Sequence, residues 1–136
     1  MIVLDENILD GQRLLLEAWR FPARQIGVDI GRKDLKDNQI PVLLRGHRNA
    51  TFFTRDADFY LPALRHRSYC LVVADVGQNE VATFIRRFLR HSDFDTQAKR
   101  MGKVVRISHA GIAFRGLQSH SEAHAIWSPG RLRTRG

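Results

Sequence analysis

The amino-acid sequence predicts a single α/β domain with a mainly parallel β-sheet and a C-terminal β-hairpin. Short apolar segments alternate with segments whose apolar residues recur at helical spacing, which is typical of parallel strands joined by helices. The length of 136 residues is that of one domain. With 43% hydrophobic and 26% charged residues, the chain has the composition of a globular protein that can bury one core.

The predicted strands are apolar segments bounded by polar or turn-forming residues. They are residues 1–4, 24–29, 50–54, 70–74, 104–107 and 112–115. The first, third and fourth are apolar through their middle, as in strands that are buried on both faces. The second alternates apolar with polar residues but contains Gly27, which weakens its signal. The last two flank His109-Ala110-Gly111 and are predicted to pair as the hairpin.

The predicted helices have apolar residues on one face and polar residues on the other. They are residues 8–20, 34–48, 59–67, 78–91 and 92–101. The helix over 78–91 gives the clearest signal, because its apolar residues form a continuous stripe. Within 34–48, Asp37 or Asn38 can cap the helix, and Pro41 fits only in a first turn. Ser92 is the predicted cap of the last helix.

The end of the chain differs in composition from the rest. From Gln118 onward apolar residues are few, and Pro129, Gly130 and three arginines follow. We therefore expect a domain over residues 1–117 and a flexible, loosely ordered basic tail over residues 118–136.

The net charge of +8 is the most informative bulk property, because a small basic protein attracts polyanions such as nucleic acids. No apolar run approaches the ~18 residues of a membrane span, and the start lacks the pattern of a signal peptide. Cys70 is the sole cysteine, so no intramolecular disulfide can form. We expect a cytoplasmic protein without membrane attachment.

Aspartates follow several of the predicted strands: Asp5, then Asp56 with Asp58, then Asp75. Because the carboxyl ends of parallel strands share one edge of a sheet, these side chains are predicted to meet there. Two carboxylates 4 Å apart repel by ~1 kcal/mol in water and by ~4 kcal/mol at an effective dielectric of about 20. A hard divalent cation such as Mg²⁺ or Mn²⁺ reverses that penalty and can activate water against a phosphodiester. The alternative, that each aspartate is a helix cap or a solvated turn residue, stays open.

Two motifs resemble those of PIN-like nucleases, similar to the toxin members of VapC-type toxin–antitoxin pairs. They are the start Met1-Ile2-Val3-Leu4-Asp5-Glu6-Asn7 and the turn Thr54-Arg55-Asp56-Ala57-Asp58-Phe59. The order of elements also fits over residues 1–91, and the hairpin within 102–115 is similar to the C-terminal end of these domains. The resemblance implies a three-layer α/β/α domain.

The resemblance also implies a Mg²⁺- or Mn²⁺-dependent endoribonuclease. The implied catalytic residues are Asp5, Asp37, Asp56 and Asp58, of which Asp5, Asp56 and Asp58 would be metal ligands. Thr54 would supply a hydroxyl beside the site, and Arg55 would contact phosphate or remain solvated. Asp34 is the alternative to Asp37 as the middle acid of the set.

The partners implied by the resemblance are an RNA substrate, a protein antitoxin and a second copy of the chain. The residues leave RNA and DNA both open as substrates. A non-catalytic nucleic-acid-binding protein is one alternative, since it needs the basic surface but not the acids. A receiver-type phosphoacceptor domain is another, but it would require a hydroxyl residue and a lysine where Ala74-Asp75 and Ser108-His109 lie.

Overall fold

Seven strands form one sheet in the computed structural model, which describes residues 1–127. The strands are β1 (Ile2–Leu4), β2 (Ala23–Gln25), β3 (Ala50–Thr54), β4 (Tyr69–Asp75), β5 (Val104–Ser108), β6 (Gly111–Arg115) and β7 (Ala123–Ala125). Their order across the sheet is β2-β1-β3-β4-β5-β6-β7. Strands β1 to β5 pair in parallel, and β6 and β7 are antiparallel to their neighbours. The predicted α/β class, mainly parallel sheet and C-terminal hairpin are confirmed.

Helices cover both faces of the sheet. They are α1 (Asp10–Ala18), α2 (Ile40–Arg45), α3 (Val81–Arg90) and α4 (Gln97–Arg100). One core lies between the sheet and α1 and α3, and the other lies between the sheet and α2. This arrangement fits the expected three layers. None of the helices in the described residues is long and apolar enough to cross a bilayer.

The two cores follow from the pleat of the buried strands, because successive side chains point to opposite faces. Phe52 packs in the core under α2, and Phe53 packs in the core under α1 and α3. Both rings are fully buried, which contributes roughly 1.5–3 kcal/mol each to the free energy of unfolding. The sheet edge where these strands end is therefore a rigid base for the residues that follow.

Several elements are shorter than the sequence predicts. The predicted helix over 34–48 is a 3₁₀ turn, Asp37–Gln39, followed by α2, whose first turn contains Pro41 as expected. The predicted helix over 59–67 is instead two 3₁₀ turns, Ala57–Phe59 and Pro62–Leu64. Pro62 has no backbone N–H to continue a hydrogen-bonded helix between the two turns.

The predicted helix over 92–101 and the predicted strand over 24–29 are also trimmed. Phe94 is fully buried and stacks on Phe88 at 4.8 Å, which keeps the preceding connection irregular. Helix α4 therefore begins after Thr96, whose hydroxyl accepts a hydrogen bond from Lys99 N–H, and Ser92 is not its cap. Strand β2 ends before Gly27, where φ is +85°.

The described part of the expected tail, residues 118–127, contains a strand and a packed tryptophan. Strand β7 lies within it and pairs with β6. Trp127 donates its indole N–H to Ser108 O at 2.6 Å and packs edge-on against Phe84 at 5.7 Å. A three-residue edge strand held by backbone pairing leaves no apolar periodicity in the sequence. Residues 128–136, with the three arginines, lie outside the described residues.

Candidate metal centre

The topology joins the two sequence motifs at the carboxyl edge of the sheet. Strands β1 and β3 are parallel neighbours, and Asp5 directly follows β1. Its backbone N–H donates to Phe53 O at 2.9 Å, which continues the pairing one residue beyond the strand. The Thr54 hydroxyl then donates to Asp5 Oδ2 at 2.6 Å. Residues 49 apart in sequence are thus held in direct contact.

Thr54 connects the two motifs of the site through one buried hydroxyl. Besides donating to Asp5, its Oγ1 accepts a hydrogen bond from Asp56 N–H at 3.0 Å. The residue is fully buried, so water cannot substitute for either partner. Thr54 lies beside the candidate site, as the resemblance implies, and orients both motifs.

Asp56 and Asp58 share one side of a turn. Asp56 Oδ1 accepts a hydrogen bond from Asp58 N–H at 2.9 Å and caps the turn Ala57–Phe59. Phe59 anchors that turn, because its buried ring meets Phe52 edge-on at 5.5 Å. An extended backbone would point residues two apart to the same side, but here a capped 3₁₀ turn orients the two aspartates.

Asp37 completes an acidic trio with these two aspartates. One oxygen from each of Asp37, Asp56 and Asp58 lies within 4.8 Å of the others. The loop that carries Asp37 is latched by Glu6, whose carboxylate accepts Asp34 N–H at 3.0 and 3.3 Å. Asp34, the alternative to Asp37, is not a member of the trio.

Asp5 lies outside this trio, but it lines a cleft that Asp37 and Asp56 also line. Its Oδ1 accepts from Glu6 N–H at 2.8 Å, and its Oδ2 accepts from Thr54. Burial raises the pKa of the Asp5 carboxyl, and the negative charges of Asp37 and Asp56 raise it further, against the lowering by these two hydrogen bonds. Each carboxylate oxygen retains a second lone pair for a cation.

The cleft has a volume of about 390 Å³. Its lining residues are Asp5, Glu6, Asn7, Ile8, Leu35, Asp37, Ile40, Thr54, Arg55 and Asp56. Arg55 is exposed at the rim, where its Nε–H donates to Val76 O at 3.0 Å and fixes one positive charge beside the acids. The lining thus combines oxygen ligands with a cation suited to phosphate.

No carboxylate of the acidic trio takes part in an ion pair within residues 1–127, although the whole chain carries a net charge of +8. At 4.8 Å each pair of carboxylates repels by about 1 kcal/mol in water and about 3 kcal/mol at an effective dielectric of 20. Oxygen ligands are the donor set that Mg²⁺ and Mn²⁺ prefer.

Asp75 does not join the other strand-end aspartates. It ends β4, is exposed, and its Oδ2 lies 3.7 Å from Arg106 on β5. Of the acids that sequence reasoning placed at this edge, Asp75 therefore lies outside the cleft.

Gln25 was not predicted from the sequence as part of the site, but its side chain holds the backbone of the Asp5 motif in place. Its side chain is 1% exposed, and its Nε2 donates to the carbonyls of Ile8 at 2.7 Å, Asp5 at 3.1 Å and Glu6 at 3.2 Å. A glutamine at the end of a short strand gives no periodic signal, and neither does the Glu6 latch.

The fold and the cleft define an α/β protein with a candidate metal centre at the carboxyl edge of its sheet. Comparisons with protein-family models, curated proteins and solved structures found no match to the chain. The resemblance to PIN-like nucleases therefore depends on the two motifs, the order of elements and the hairpin.

Proposed function

We propose that the protein is a metal-dependent ribonuclease that hydrolyses phosphodiester bonds at this cleft. The observation that carries the proposal is the trio Asp37, Asp56 and Asp58, whose oxygens converge within 4.8 Å and form no ion pair within residues 1–127. The resemblance adds the reaction class, and the net charge of +8 adds a polyanionic substrate.

In this proposal the trio provides the oxygen ligands for Mg²⁺ or Mn²⁺, and Asp5 provides a further ligand or the proton acceptor for the attacking water. A bound divalent ion would supply an activated water and stabilise the charge that develops on the phosphodiester. Water adds to phosphorus, the bond to the leaving oxygen breaks, and a water proton passes to a carboxylate. Thr54 keeps Asp5 in place, and Arg55 binds phosphate at the rim.

The biological setting is also a proposal from the resemblance. A toxin of the VapC type would be neutralised by a protein antitoxin and would work in the cytoplasm, and such domains often form homodimers. The antitoxin and the homodimer have one test in common. The chain is purified together with the product of a neighbouring gene, and the mass of the complex gives the partner and the number of copies.

The test is cleavage of a structured RNA pool in the presence of Mn²⁺ and in EDTA, with single-stranded DNA in parallel. Asp56→Asn with Asp58→Asn should abolish cleavage. The matched control is Asp93→Asn with Asp95→Asn, which removes two exposed carboxylates of the same spacing beyond the far end of α3. The control should retain cleavage.

A non-catalytic nucleic-acid-binding protein is the second candidate, favoured by the basic charge. It would bind RNA without cutting it under any metal condition, and Asp56→Asn with Asp58→Asn would leave the affinity unchanged or raise it. That result would replace the nuclease proposal.

A further inference from the structure

We propose that the open face of the sheet, defined as the side of β5, β6 and β7 turned away from α3, binds the single-stranded nucleic acid that enters the cleft. The inference extends the proposed ribonuclease function, because it names a substrate-binding surface for the same site. Its polar residues are Arg106, Ser108, Arg115 and His124, around the buried Ala113.

The register of the sheet connects this face to the candidate metal centre. Thr54 pairs with Val73, Val73 with Arg106, Arg106 with Ala113, and Ala113 with His124. Paired residues of neighbouring strands share a face, so the five form one row across the sheet. Strands lie about 4.8 Å apart, and the row spans about 19 Å from the cleft to the sheet edge.

The layers of the fold leave this part of the sheet accessible. The neighbours of these residues along the strands, such as Val105, Ile107 and Ile112, point into the core beneath α3. On the opposite side α2 packs over β3, while the side chains of Arg106 and His124 are 41% and 69% exposed. A shallow depression of about 180 Å³ lies along β5 to β7, with both residues in its lining.

The charges on the open face suit a phosphate backbone. Arg106 is held by Asp75 at 3.7 Å, and both side chains are exposed, so the pair is worth only about 0–1 kcal/mol and a phosphate can replace it. Arg115 lies on the same face of β6 as Ala113, because residues two apart in a strand share a face. No ion pair engages Arg115 in the described residues. Both guanidinium groups are thus available to phosphate.

An aromatic ring joins the arginines to the acidic turn. Tyr60 lies two residues after Asp58, and the Arg106 guanidinium carbon is 5.8 Å from its ring centre. Glu122 fixes the ring, because it accepts the tyrosine hydroxyl at 2.5 Å, and His124 lies 3.1 Å from the same carboxylate. Arginines beside aromatic rings bind single strands through phosphate contacts and base stacking. Within residues 1–127 no helix or ribbon protrudes from this face, which favours a single strand over the grooves of a duplex.

The test measures binding of a fluorescent single-stranded RNA in EDTA, where no cleavage interferes. Arg106→Gln with Arg115→Gln should weaken binding about tenfold and reduce the slope of log affinity against log salt by about 1.4, at about 0.7 per lost phosphate contact. Arg45→Gln with Arg48→Gln removes the same charge at the opposite end of the sheet and should change affinity less than twofold. Equal losses in the two pairs, or no loss in the first, would overturn the inference.

Two further measurements keep folding and catalysis apart from binding. The double variant Arg106→Lys with Arg115→Lys keeps both positive charges and should bind RNA with most of the affinity of the unmodified protein. A double variant that failed to fold would not bind RNA in this way. Crosslinking of the unmodified protein to RNA containing 4-thiouridine needs no variant, and adducts should fall at Tyr60 and within residues 104–125. Adducts confined to other segments would contradict the inference. If the protein binds RNA on this face but never cleaves it with Mn²⁺, the proposed function fails while the binding surface stands.

Discussion

Replacing Asp56 with asparagine should stabilise the metal-free protein. The carboxylate of Asp56 lies within 4.8 Å of those of Asp37 and Asp58, so the change removes two repulsive pairs. Each pair is worth about 1 kcal/mol in water and about 3 kcal/mol at a dielectric of 20, and the exposure of Asp37 and Asp58 favours the lower value. Asparagine keeps an oxygen that can accept Asp58 N–H, so the turn is retained. We expect a gain of about 1–2 kcal/mol in the free energy of unfolding.

The same substitution should remove the stabilisation by metal. A metal ion that binds only the folded state adds about 1.4 kcal/mol to the free energy of unfolding when its concentration is ten times its Kd. Asp56→Asn removes one of the three carboxylates of the trio. The gain of about 1–2 kcal/mol corresponds to a Tm about 3–8 °C above that of the unmodified protein in EDTA. Mn²⁺ should raise the Tm of the unmodified protein alone, so the difference in Tm should shrink or change sign.

The assay is thermal unfolding in EDTA and across a Mn²⁺ titration. Asp93→Asn serves as the control, because it removes one exposed carboxylate away from the cleft and should leave the Mn²⁺ effect intact. The reasoning is refuted if Asp56→Asn lowers Tm in EDTA or keeps the full Mn²⁺-induced rise.

Three further predictions follow, two for residues beside the trio and one for the hairpin of β5 and β6. The raised pKa of Asp5 means that the folded state binds its proton more tightly than the unfolded state, so stability in EDTA should fall as pH rises from the ordinary value of 3.8 through the raised one. Asp5→Asn should lack that fall, which Tm measured from pH 3.5 to 7 will check. Thr54→Val should lower the free energy of unfolding by about 1–3 kcal/mol in denaturant titrations, because Asp5 and Asp56 N–H both lose their buried partner; an unchanged midpoint would contradict its role. Gly111→Ala should destabilise the hairpin by about 1–3 kcal/mol, because φ is +144° and the added Cβ would lie 2.9 Å from Ala125 O. Faster amide exchange in β6 and β7 would report that loss, and unaltered exchange would argue against it.

The sequence predicts the fold well where side-chain periodicity and burial coincide. The stripe of α3 is buried as predicted, and the apolar middles of β1, β3 and β4 lie at the centre of the sheet. It predicts poorly where backbone pairing or one buried ring decides the structure. Strand β7 and the irregular connection around Phe94 are two such places, since neither leaves a repeating pattern.

The candidate site also has one part that the sequence predicts and one part that it does not. Parallel topology implies that Asp5 and Asp56 share one edge, and the direct link through Thr54 agrees with that prediction. The place of Asp37 in the trio depends on the Glu6 latch, a contact between segments 28 residues apart that no local pattern encodes.

The most direct test of the nuclease proposal compares two Mn²⁺ titrations of the same preparation. One follows the single-turnover rate of cleavage of end-labelled RNA, and the other follows the rise in Tm. The proposal predicts that both saturate at the same Mn²⁺ concentration and that Asp56→Asn with Asp58→Asn abolishes both. Cleavage that persists in EDTA or in that variant would show that the trio of Asp37, Asp56 and Asp58 is not the centre of catalysis.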